Sequence, residues 1–490
     1  MFSASDIKTN SAAHTFFMKN ADYFQCLFDE KCNVVRRDFL CGKKDAALFF
    51  NPDLTDSEIL RQFLRAAMNG GKSVADIEKS VVYVSETTLT TKREDAVSAV
   101  LTGDAVFVLD GDETLLIVDA KKFDKRTISE PPTETVIRGP REGFTEDIKT
   151  NLALLQRRFK SPHLCIETVT VGKQSKTQVA VVYLSTVADK KTVEDVVKRI
   201  KAVNIDTVTD SNYLVPYLEK RPYSLFKQVG FTEKPDVASS KMAEGRIAIV
   251  TDGSPMVLTV PFIIAEDFQS GDDYYERSSF TSFLRIIRLL ALFLAVLLPG
   301  VYVAFQTYHY DMLPNKFLIT LMNAIKGVPL PPMWEMLFVL LLFEVIRDAS
   351  VRMPRAVSMA MSIVGAIVLG ETAVKAGLVS SPAVMLTALS SIALFTAPNE
   401  VGTMSLLRMV ITLAGGIAGA LGIIAVSVYI VHYLCRMDMY GSPYLAPFAP
   451  LIRSDLKDGV TLTVRSDMEN RPLSVNTPNR VREKRPEDLE

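Results

Sequence analysis

The sequence predicts an α+β cytoplasmic region of two subdomains, followed by an all-α transmembrane domain of about four to six membrane segments. Residues 289–310 and 409–435 contain no Lys, Arg, Asp or Glu, and each run exceeds the roughly 20 apolar residues that a bilayer span needs. The first 284 residues have instead the mixed, charge-rich composition of a soluble domain. The chain is therefore predicted to be an integral membrane protein with a large soluble half.

Composition and charge narrow the function before any motif is considered. At 490 residues the chain is long enough for about three domain-sized units, and a net charge of −1 argues against a nucleic-acid binder. The first residues lack the apolar core of a signal peptide, so we expect the soluble half to stay in the cytoplasm. The five cysteines lack the paired spacing of a zinc site and are expected to be reduced packing residues.

These observations divide the chain into four predicted regions. Two α+β subdomains occupy 1–130 and 131–284, with a boundary at the Pro-rich stretch 129–135. A transmembrane helical domain occupies 285–440. The last region, 441–490, is predicted to be a polar, flexible tail because it combines several prolines with balanced charges.

Strand and helix patterns alternate in both soluble subdomains. In the first, helical apolar spacing covers 57–68 and 74–81, and a hairpin pairs 105–109 with 115–118. The second combines two strands, a helix and a final hairpin around an Asp-Gly turn. Its elements span 165–171, 178–184, 193–203, 246–250 and 256–260.

An amphipathic helix is also predicted at 145–159, with Thr145 near its N-cap. Apolar residues recur at helical spacing along it: Phe144, Ile148, Leu152 and Leu155. Two uses of this stripe stay open. It covers the sheet of its own subdomain, or it contacts another subunit.

The helical half begins with Arg285 and Arg288 on its cytoplasmic flank, as the positive-inside rule predicts. The first span is predicted to bend or break at the Pro-Gly pair 299–300. Prolines interrupt 312–334, which is predicted to be a loop with a short interfacial helix. Further membrane segments follow at 335–346, 357–369, 376–398 and 409–435.

The orientation rule conflicts with five full crossings. Three arginines share one short connection around 347–355, and the tail is basic around 480–485, so both should face the cytoplasm with the N-terminal half. An odd number of crossings cannot satisfy this. Either 335–346 or 376–398 is therefore predicted to be re-entrant, and the sequence leaves the choice open.

No catalytic constellation is predicted, and an enzyme is not expected. None of the four histidines lies near a Ser, Cys or carboxylate motif of recognised spacing, so no catalytic, cofactor-binding or metal site is assigned. The glycines around 415–422 lack the preceding strand of a nucleotide-binding loop. Gly415 and Gly419 are instead predicted to form a close helix-packing face, a common use of small residues in lipid.

Four ionisable residues fall on one helical face and alternate in sign: Glu344, Arg347, Asp348 and Arg352. Charges at membrane depth are costly, and where they occur they often serve a function. Two interpretations stay open. The charges pair locally at an interfacial helix end, or they couple a stimulus to a conformational change.

The next membrane segment has two distinct faces. Small residues at every fourth position give a smooth packing side: Ser358, Ser362, Ala366 and Gly370. Counting back from Glu371 at helical spacing gives a narrow apolar strip: Ile367, Val364, Ile363 and Ala360. Around an oligomer axis this strip would line a pore, with Ile367 as a hydrophobic gate and Glu371 as a carboxylate ring favouring cations. Alternatively, Glu371 lies at the outer interface and pairs with Lys375.

Ordered motifs also punctuate most of the chain. They include Arg138-Gly139-Pro140-Arg141-Glu142-Gly143-Phe144, Thr232-Glu233-Lys234-Pro235-Asp236, Asp272-Asp273-Tyr274-Tyr275-Glu276-Arg277, Glu344-Val345-Ile346-Arg347-Asp348 and Tyr440-Gly441-Ser442-Pro443-Tyr444. Together they resemble the A subunit of the GerA family of spore germination proteins.

The resemblance implies a subunit of the inner membrane of the bacterial endospore, with its N-terminal region facing the cytoplasm of the spore core. It implies partnership with a permease-like B subunit and a C-subunit lipoprotein. Family members look like oligomeric, nutrient-gated cation channels, which favours the pore interpretation of the strip at 360–371. We therefore expect a germinant receptor A subunit that forms a homo-oligomer, and we expect no cofactor.

The sequence departs from the family pattern at three places. Residues 224–227 stand where relatives usually carry prolines, Lys234 replaces a usual Arg, and Glu371 sits where Gln is frequent. If Gln serves in relatives, a charge there is not essential. Glu371 is then expected to tune selectivity, and Ile367 is the better candidate for the gate.

Three other functions stay open. A stage V sporulation AF-type relative would accompany the machinery that releases dipicolinic acid. A solute transporter with a cytoplasmic regulatory domain is disfavoured because no inverted repeat is apparent among the membrane segments. A membrane scaffold would cluster other receptor subunits and conduct nothing.

Overall fold

The computed structural model divides into two compact units. Among the described residues, unit 1 contains 20–222, 229–262 and 470–482, and unit 2 contains 223–228 and 263–469. The residues that the structure describes are 20–28, 32–42, 44–68, 73–81, 86–122, 131, 133–136, 138–354, 357, 363, 365, 367–396, 400–464 and 467–482.

The first subdomain of unit 1 is a five-stranded antiparallel sheet in the order β1-β2-β4-β5-β3. Its strands are β1 (Val35–Cys41), β2 (Lys44–Phe50), β3 (Thr87–Thr90), β4 (Ala105–Leu109) and β5 (Leu115–Val118). Its helices are α1 (20–27), α2 (Ser57–Met68), α3 (Val74–Val81) and α4 (Arg93–Thr102). One apolar cluster joins the sheet to α2 and α3, and a second joins it to α1 and α4. Both faces of the sheet are therefore buried, which explains why β4 is apolar throughout.

The second subdomain repeats the strand order of the first. Its sheet runs β6-β7-β9-β10-β8, which is the first order with each strand number raised by five. The strands are β6 (Leu164–Val171), β7 (Thr177–Leu184), β8 (Gly230–Thr232), β9 (Ile247–Thr251) and β10 (Val257–Val260). The helices are α5 (Ile148–Arg158), α6 (Lys190–Lys201), α7 (Val215–Leu218) and α8 (Pro235–Ala243). Unit 1 is thus a tandem of two sheets with one topology, which the sequence did not predict.

The predicted α+β elements of the soluble half are confirmed, with shifts at some of their ends. The helices at 57–68 and 74–81 and the hairpin of β4 and β5 have the predicted bounds. The helix predicted at 193–203 begins earlier, at Lys190, because Asp189 caps it by accepting a hydrogen bond from the Thr192 N–H at 3.1 Å.

The helix predicted at 145–159 is α5, and its cap is Asp147 rather than Thr145. The Asp147 carboxylate accepts a hydrogen bond from the Thr150 N–H at 2.9 Å, whereas the Thr145 N–H donates to the Asn151 side chain. The apolar stripe of α5 packs in one buried cluster with β6, β7 and β9. The stripe therefore covers the sheet of its own subdomain.

The segment predicted as a flexible tail is folded where the structure describes it. Arg471 Nε donates to the Ala243 carbonyl at 2.7 Å and Thr477 Oγ1 to the Val187 carbonyl at 2.7 Å, both within unit 1. Earlier in the segment, Tyr444 is fully buried in unit 2. The polar composition concealed this because most of these contacts use backbone carbonyls, which any sequence supplies.

Unit 2 is mainly helical. Its helices are α9 (Ser278–Thr307), α10 (Asn315–Ile325), α11 (Pro332–Arg352), α12 (367–375, containing the π-helical turn Val368–Ala373), α13 (Ser381–Leu394), α14 (Val401–Cys435) and α15 (Leu456–Gly459). Among the described helices, α9 and α14 are long and apolar enough to cross a membrane, and α13 is a shorter apolar helix. The full set of four to six membrane segments stays a prediction.

The two arginines at the start of α9 form ion pairs. Arg285 is almost fully buried, with Nε 2.9 Å from Asp273 Oδ2 and an Nη 3.1 Å from Asp458 Oδ1. Arg288 lies 2.9 Å from the second oxygen of Asp273. These residues therefore fix the beginning of α9 against the segment that contains α15.

The chain of α14 reverses direction at Gly419. Its φ of 61° and ψ of −143° are not helical, and glycine adopts such angles without the steric cost that a Cβ brings. The Ala414 carbonyl lies so close to Gly422 that a Cβ there would clash, although eight residues of straight helix would span about 12 Å. α14 therefore consists of two arms, 401–418 and 420–435.

Both ends of this helical hairpin meet one short segment of chain. The Thr403 hydroxyl donates to the Leu225 carbonyl at 2.7 Å, and the ring of Tyr433 lies 6.2 Å from that of Phe226. A straight helix would hold residues 403 and 433 roughly 45 Å apart. The run predicted as one membrane segment is therefore two antiparallel arms.

Close backbone contact joins the first arm to α9. A Cβ on Gly415 would lie 2.6 Å from the Gly300 carbonyl oxygen, and one on Gly300 would lie 2.9 Å from the Ile411 carbonyl oxygen. Gly415 thus lies on a packing face, while Gly419 forms the turn. The helix α9 continues through Pro299 without the predicted break.

We predict that Gly419→Ala lowers the melting temperature of the detergent-solubilised chain. An alanine would have to adopt a left-handed φ, and its Cβ would lie 2.9 Å from the His309 ring. Such strain costs about 1–3 kcal/mol. The matched control is Gly402→Ala, in the same helix but with open space around it. That change should raise stability by up to about 1 kcal/mol. Equal effects of the two substitutions would contradict the reversal at Gly419.

Candidate functional site

A buried network of charges joins three helices of unit 2. Glu344 on α11 lies at its centre, with Oε2 2.6 Å from an Nη of Arg347 and Oε1 2.9 Å from an Nη of Arg408. Arg408 belongs to the first arm of α14 and is 1% exposed. Its other Nη donates to the hydroxyls of Ser390 and Ser391 on α13, at 3.0 and 3.1 Å.

The network contains two guanidinium groups and one carboxylate, so its charges do not balance. The Ser405 hydroxyl donates to the carboxylate of Glu344 and accepts a hydrogen bond from Arg347 at 3.2 Å. Among the described residues, Arg408 Nε has no hydrogen-bond partner. Burying charges is costly unless they are paired and hydrogen-bonded. The arrangement therefore depends on Glu344, the carboxylate that both arginines share.

The four predicted coupling residues do not form one cluster. Glu344 and Arg347 belong to the buried network, whereas Asp348 and Arg352 form a separate ion pair at 3.0 Å with both side chains largely exposed. Helical spacing grouped these four residues on one face without assigning their partners. It could not assign the deeper pair to a three-helix network because the third member lies more than 60 positions away in sequence.

Arg408 is the site residue that sequence reasoning missed. The charge-free run 409–435 begins at the next residue, and the prediction did not include Arg408. A signal was present, since the apolar helix containing Arg408 begins seven residues earlier, at Val401. A lone arginine one or two turns inside an apolar helix needs a carboxylate or hydroxyl partner.

The predicted pore strip is only partly described. Ile363 and Ile367 are 58% and 52% exposed in the single chain, and Ala360 and Val364 lie outside the described residues. Glu371 is exposed and forms an ion pair with Lys375, one helical turn later. The pairing expected for an interfacial Glu371 is therefore present, and the isoleucine side chains face away from the rest of their own chain.

The predicted small-residue face of the same segment is also partly described. Ser358, Ser362 and Ala366 lie outside the described residues. Among the described residues, Gly370 has no atom within 4 Å of where a Cβ would stand, so it makes no close helix contact with that part of the chain. The π-helical turn Val368–Ala373 widens the helix here, a feature that is frequent at functional sites.

A second buried carboxylate lies elsewhere in the helical unit. Glu335 is 2% exposed, and its Oε1 accepts a hydrogen bond from the Ser380 N–H at 2.6 Å. Ser380 is the N-cap of α13, so the carboxylate lies where the helix dipole favours negative charge. This contact joins the N-terminal ends of α11 and α13. Among the described residues, no group of three or more His, Cys, Asp or Glu is placed to hold a metal ion.

The two units define a protein that joins a duplicated α+β region to an apolar helical region with a buried charge network. A family model described as "Bacillus/Clostridium GerA spore germination protein" matches residues 22–474. The chain therefore belongs to the GerA family of spore germination proteins, as its motifs indicated.

Individual relatives agree with this family. Spore germination protein KA of Bacillus subtilis is 33% identical over 92% of this chain and 85% of the relative. Spore germination protein GerLA of Bacillus cereus is 31% identical over 91% of this chain and 90% of the relative. The "Uncharacterized membrane protein YfkQ" of B. subtilis is 36% identical over 81% and 78%.

One solved structure is also similar in sequence. It is the N-terminal domain of the A subunit of the Bacillus megaterium spore germinant receptor GerK3, which is 26% identical to this chain. The alignment covers 51% of this chain and 94% of that domain, with a TM-score of 0.37.

We predict that substitutions in the charge network differ in severity. Glu344→Gln should be the most damaging because it leaves two arginines without their carboxylate, a loss that costs about 3–5 kcal/mol for a buried pair. Arg408→Met should lower stability less, since Glu344 keeps its ion pair with Arg347. The readout is the melting temperature and the membrane level of the full chain. Asp348→Asn is the matched control, and its exposed pair should contribute little. An Asp348→Asn effect as large as that of Glu344→Gln would refute the assignment.

Proposed function

We propose that this protein is the A subunit of a nutrient germinant receptor in the inner membrane of the bacterial endospore, with unit 1 on the cytoplasmic side. Several copies form a cation channel that opens when a nutrient binds, on the permease-like B subunit, and starts germination. A C-subunit lipoprotein completes the receptor. The observation that supports this best is the family match over residues 22–474, and the uncovered side chains of Ile363 and Ile367 support the channel.

The exposed isoleucines support an oligomeric pore. Ile363 and Ile367 lie one helical turn apart on the same face, and more than half of each side chain is uncovered. In an oligomer this face would line the axis, where an apolar constriction closes a pore by dewetting. The Glu371–Lys375 pair lies one turn beyond Ile367. This pair would tune the ion passed, while Ile367 provides the gate.

The charge network supports a coupling role. It fixes α11, α13 and the first arm of α14 to one another, so a movement of one helix reaches the others. Arg347 is the partly exposed member, with about a third of its side chain accessible. A stimulus that draws Arg347 away from Glu344 would leave Arg408 as the charged partner of Glu344 and shift the three helices.

The folded units also favour six membrane crossings. The N-terminal half and residues 470–482 belong to one unit, so the helical segments between them must cross an even number of times. The Glu335–Ser380 contact puts the starts of α11 and α13 together, so the chain between these helices must return across the membrane. The crossings are then α9, α11, the segment containing α12, α13 and the two arms of α14.

We predict that Ile367→Ser makes the channel leak. A hydroxyl in place of a large apolar side chain should wet the constriction and release potassium without nutrient. The measurement is potassium release from non-sporulating cells that express the chain with its B and C partners, before and after a nutrient panel.

The control for this experiment is Ile392→Ser on α13, because Ile392 is 68% exposed but lies on another helix. It should leave resting permeability unchanged. Leak from both variants would show a general disturbance of the membrane. No flux from any correctly inserted complex would support the scaffold interpretation instead.

We predict that the turn of the helical hairpin faces the outside of the cell. A cysteine at Leu421, which is 75% exposed two residues after Gly419, should react with a membrane-impermeant thiol reagent in intact cells. The native Cys435, at the end of the second arm, should react only after permeabilisation. Labelling of both cysteines from the same side would contradict the pair of crossings.

A further inference from the structure

A short segment of the soluble half is built into unit 2. Residues 223–228 lie in the sequence between α7 and β8 of unit 1, yet they belong to unit 2. Phe226 is 5% exposed, and its ring lies 6.4 Å from that of the buried Tyr444. The carbonyl of Leu225 holds the start of the helical hairpin through Thr403. We call residues 223–228 the docking segment.

Lys227 carries the charge of the docking segment into a buried acidic site. Its ammonium pairs with Asp267 and lies 3.4 Å from Glu400 Oε1. The side chains of both acids are only 4% exposed. Asp267 precedes α9, and Glu400 is the N-cap residue of α14. One carboxylate that precedes α9 and one that precedes α14 therefore share one ammonium group.

Hydrogen bonding leaves this site incomplete. Within the described part of the chain, Oδ2 of Asp267 accepts no hydrogen bond, and the donors near the Glu400 carboxylate are Lys227 and the Thr403 hydroxyl. Glu266 adds a third carboxylate nearby, with Oε1 accepting from the Ile263 N–H at 3.1 Å. The charged groups facing Asp267 are thus one ammonium and two further carboxylates. A buried excess of negative charge is costly, and a bound proton relieves it.

We propose that Lys227, Asp267 and Glu400 form a proton-binding site that fastens the docking segment to the start of the helical hairpin. One proton is shared by the two carboxylates while the segment is docked. When this proton is lost, two buried negative carboxylates share one ammonium group, and the docking segment is released. The contact between the docking segment and the hairpin therefore depends on pH.

The titration of Asp267 sets the pH range over which docking weakens. Burial raises the pKa of Asp267 from 3.8 to about 7, although Lys227 opposes the shift, and burial also raises the pKa of Glu400. Between about pH 4 and pH 7, the docked state therefore holds a proton that the undocked state has released. Docking is strongest at low pH, weakens by about tenfold per pH unit across this range and levels off above it.

The test is hydrogen exchange of the docking segment in the full chain held in lipid nanodiscs. Between pH 6 and pH 8 its protection factor should fall about tenfold, after correction for intrinsic exchange. In Glu400→Gln the ammonium of Lys227 keeps one ion-paired carboxylate, Asp267, so protection should stay constant. Asp267→Asn should behave in the same way. Asp311→Asn, an exposed acid elsewhere in unit 2, is the control and should follow the wild type.

Other outcomes would overturn the proposal. A tenfold fall that persists in both Glu400→Gln and Asp267→Asn would place the titrating group elsewhere. Constant protection in the wild type would remove the proton site. Protection that changes with potassium concentration at fixed pH, with no pH slope, would assign the site to a metal cation. Exchange of β7 in unit 1 identifies any variant that fails to fold, and the second variant then decides.

Discussion

An arginine inside an apolar helix is the constraint on which unit 2 depends. An unpaired charge in an apolar helix is costly, and the cost of Arg408 is offset only where a carboxylate and hydroxyls surround it. Apolar surfaces do not select one neighbour over another in a membrane, because lipid tails are as apolar as the side chains. The pair with Glu344 and the hydroxyl of Ser390 therefore sets the register of three helices.

Glycine provides the second constraint, because it lets backbones approach where side chains could not. Gly300 and Gly415 bring α9 and the first hairpin arm into backbone contact. At Gly419 the chain turns within a few residues, and the Tyr308 hydroxyl donates to the Ile417 carbonyl freed by the break, at 2.6 Å. Backbone groups in an apolar environment must be satisfied in this way. The reversal then returns the chain to the end of the bundle where the docking segment lies.

Local patterns predicted the elements well, and long-range partners set the limit. The helices at 57–68 and 74–81 follow directly from apolar spacing, and so does the burial of the α5 stripe. The reversal at Gly419 could not be predicted because the sequence pattern of an apolar run does not distinguish a glycine on a packing face from a glycine in a turn. For the candidate site, spacing put Glu344 and Arg347 on one helical face but did not include Arg408, whose partner is fixed only by the folded bundle. The duplicated sheet order escaped notice because topology can repeat without a repeated sequence.

The last residues of the chain have a consequence for its synthesis. Residues 470–482 complete unit 1, where Thr477 and Arg471 occupy carbonyls of the second subdomain. A ribosome makes the rest of unit 1 first and then about 200 residues of helical segments, and domains generally fold as they emerge. The second subdomain therefore stays unfinished while the helical segments are translated. Its final contacts form only after residues 470–482 are made, so closure of unit 1 marks a polypeptide whose helical region has already been made.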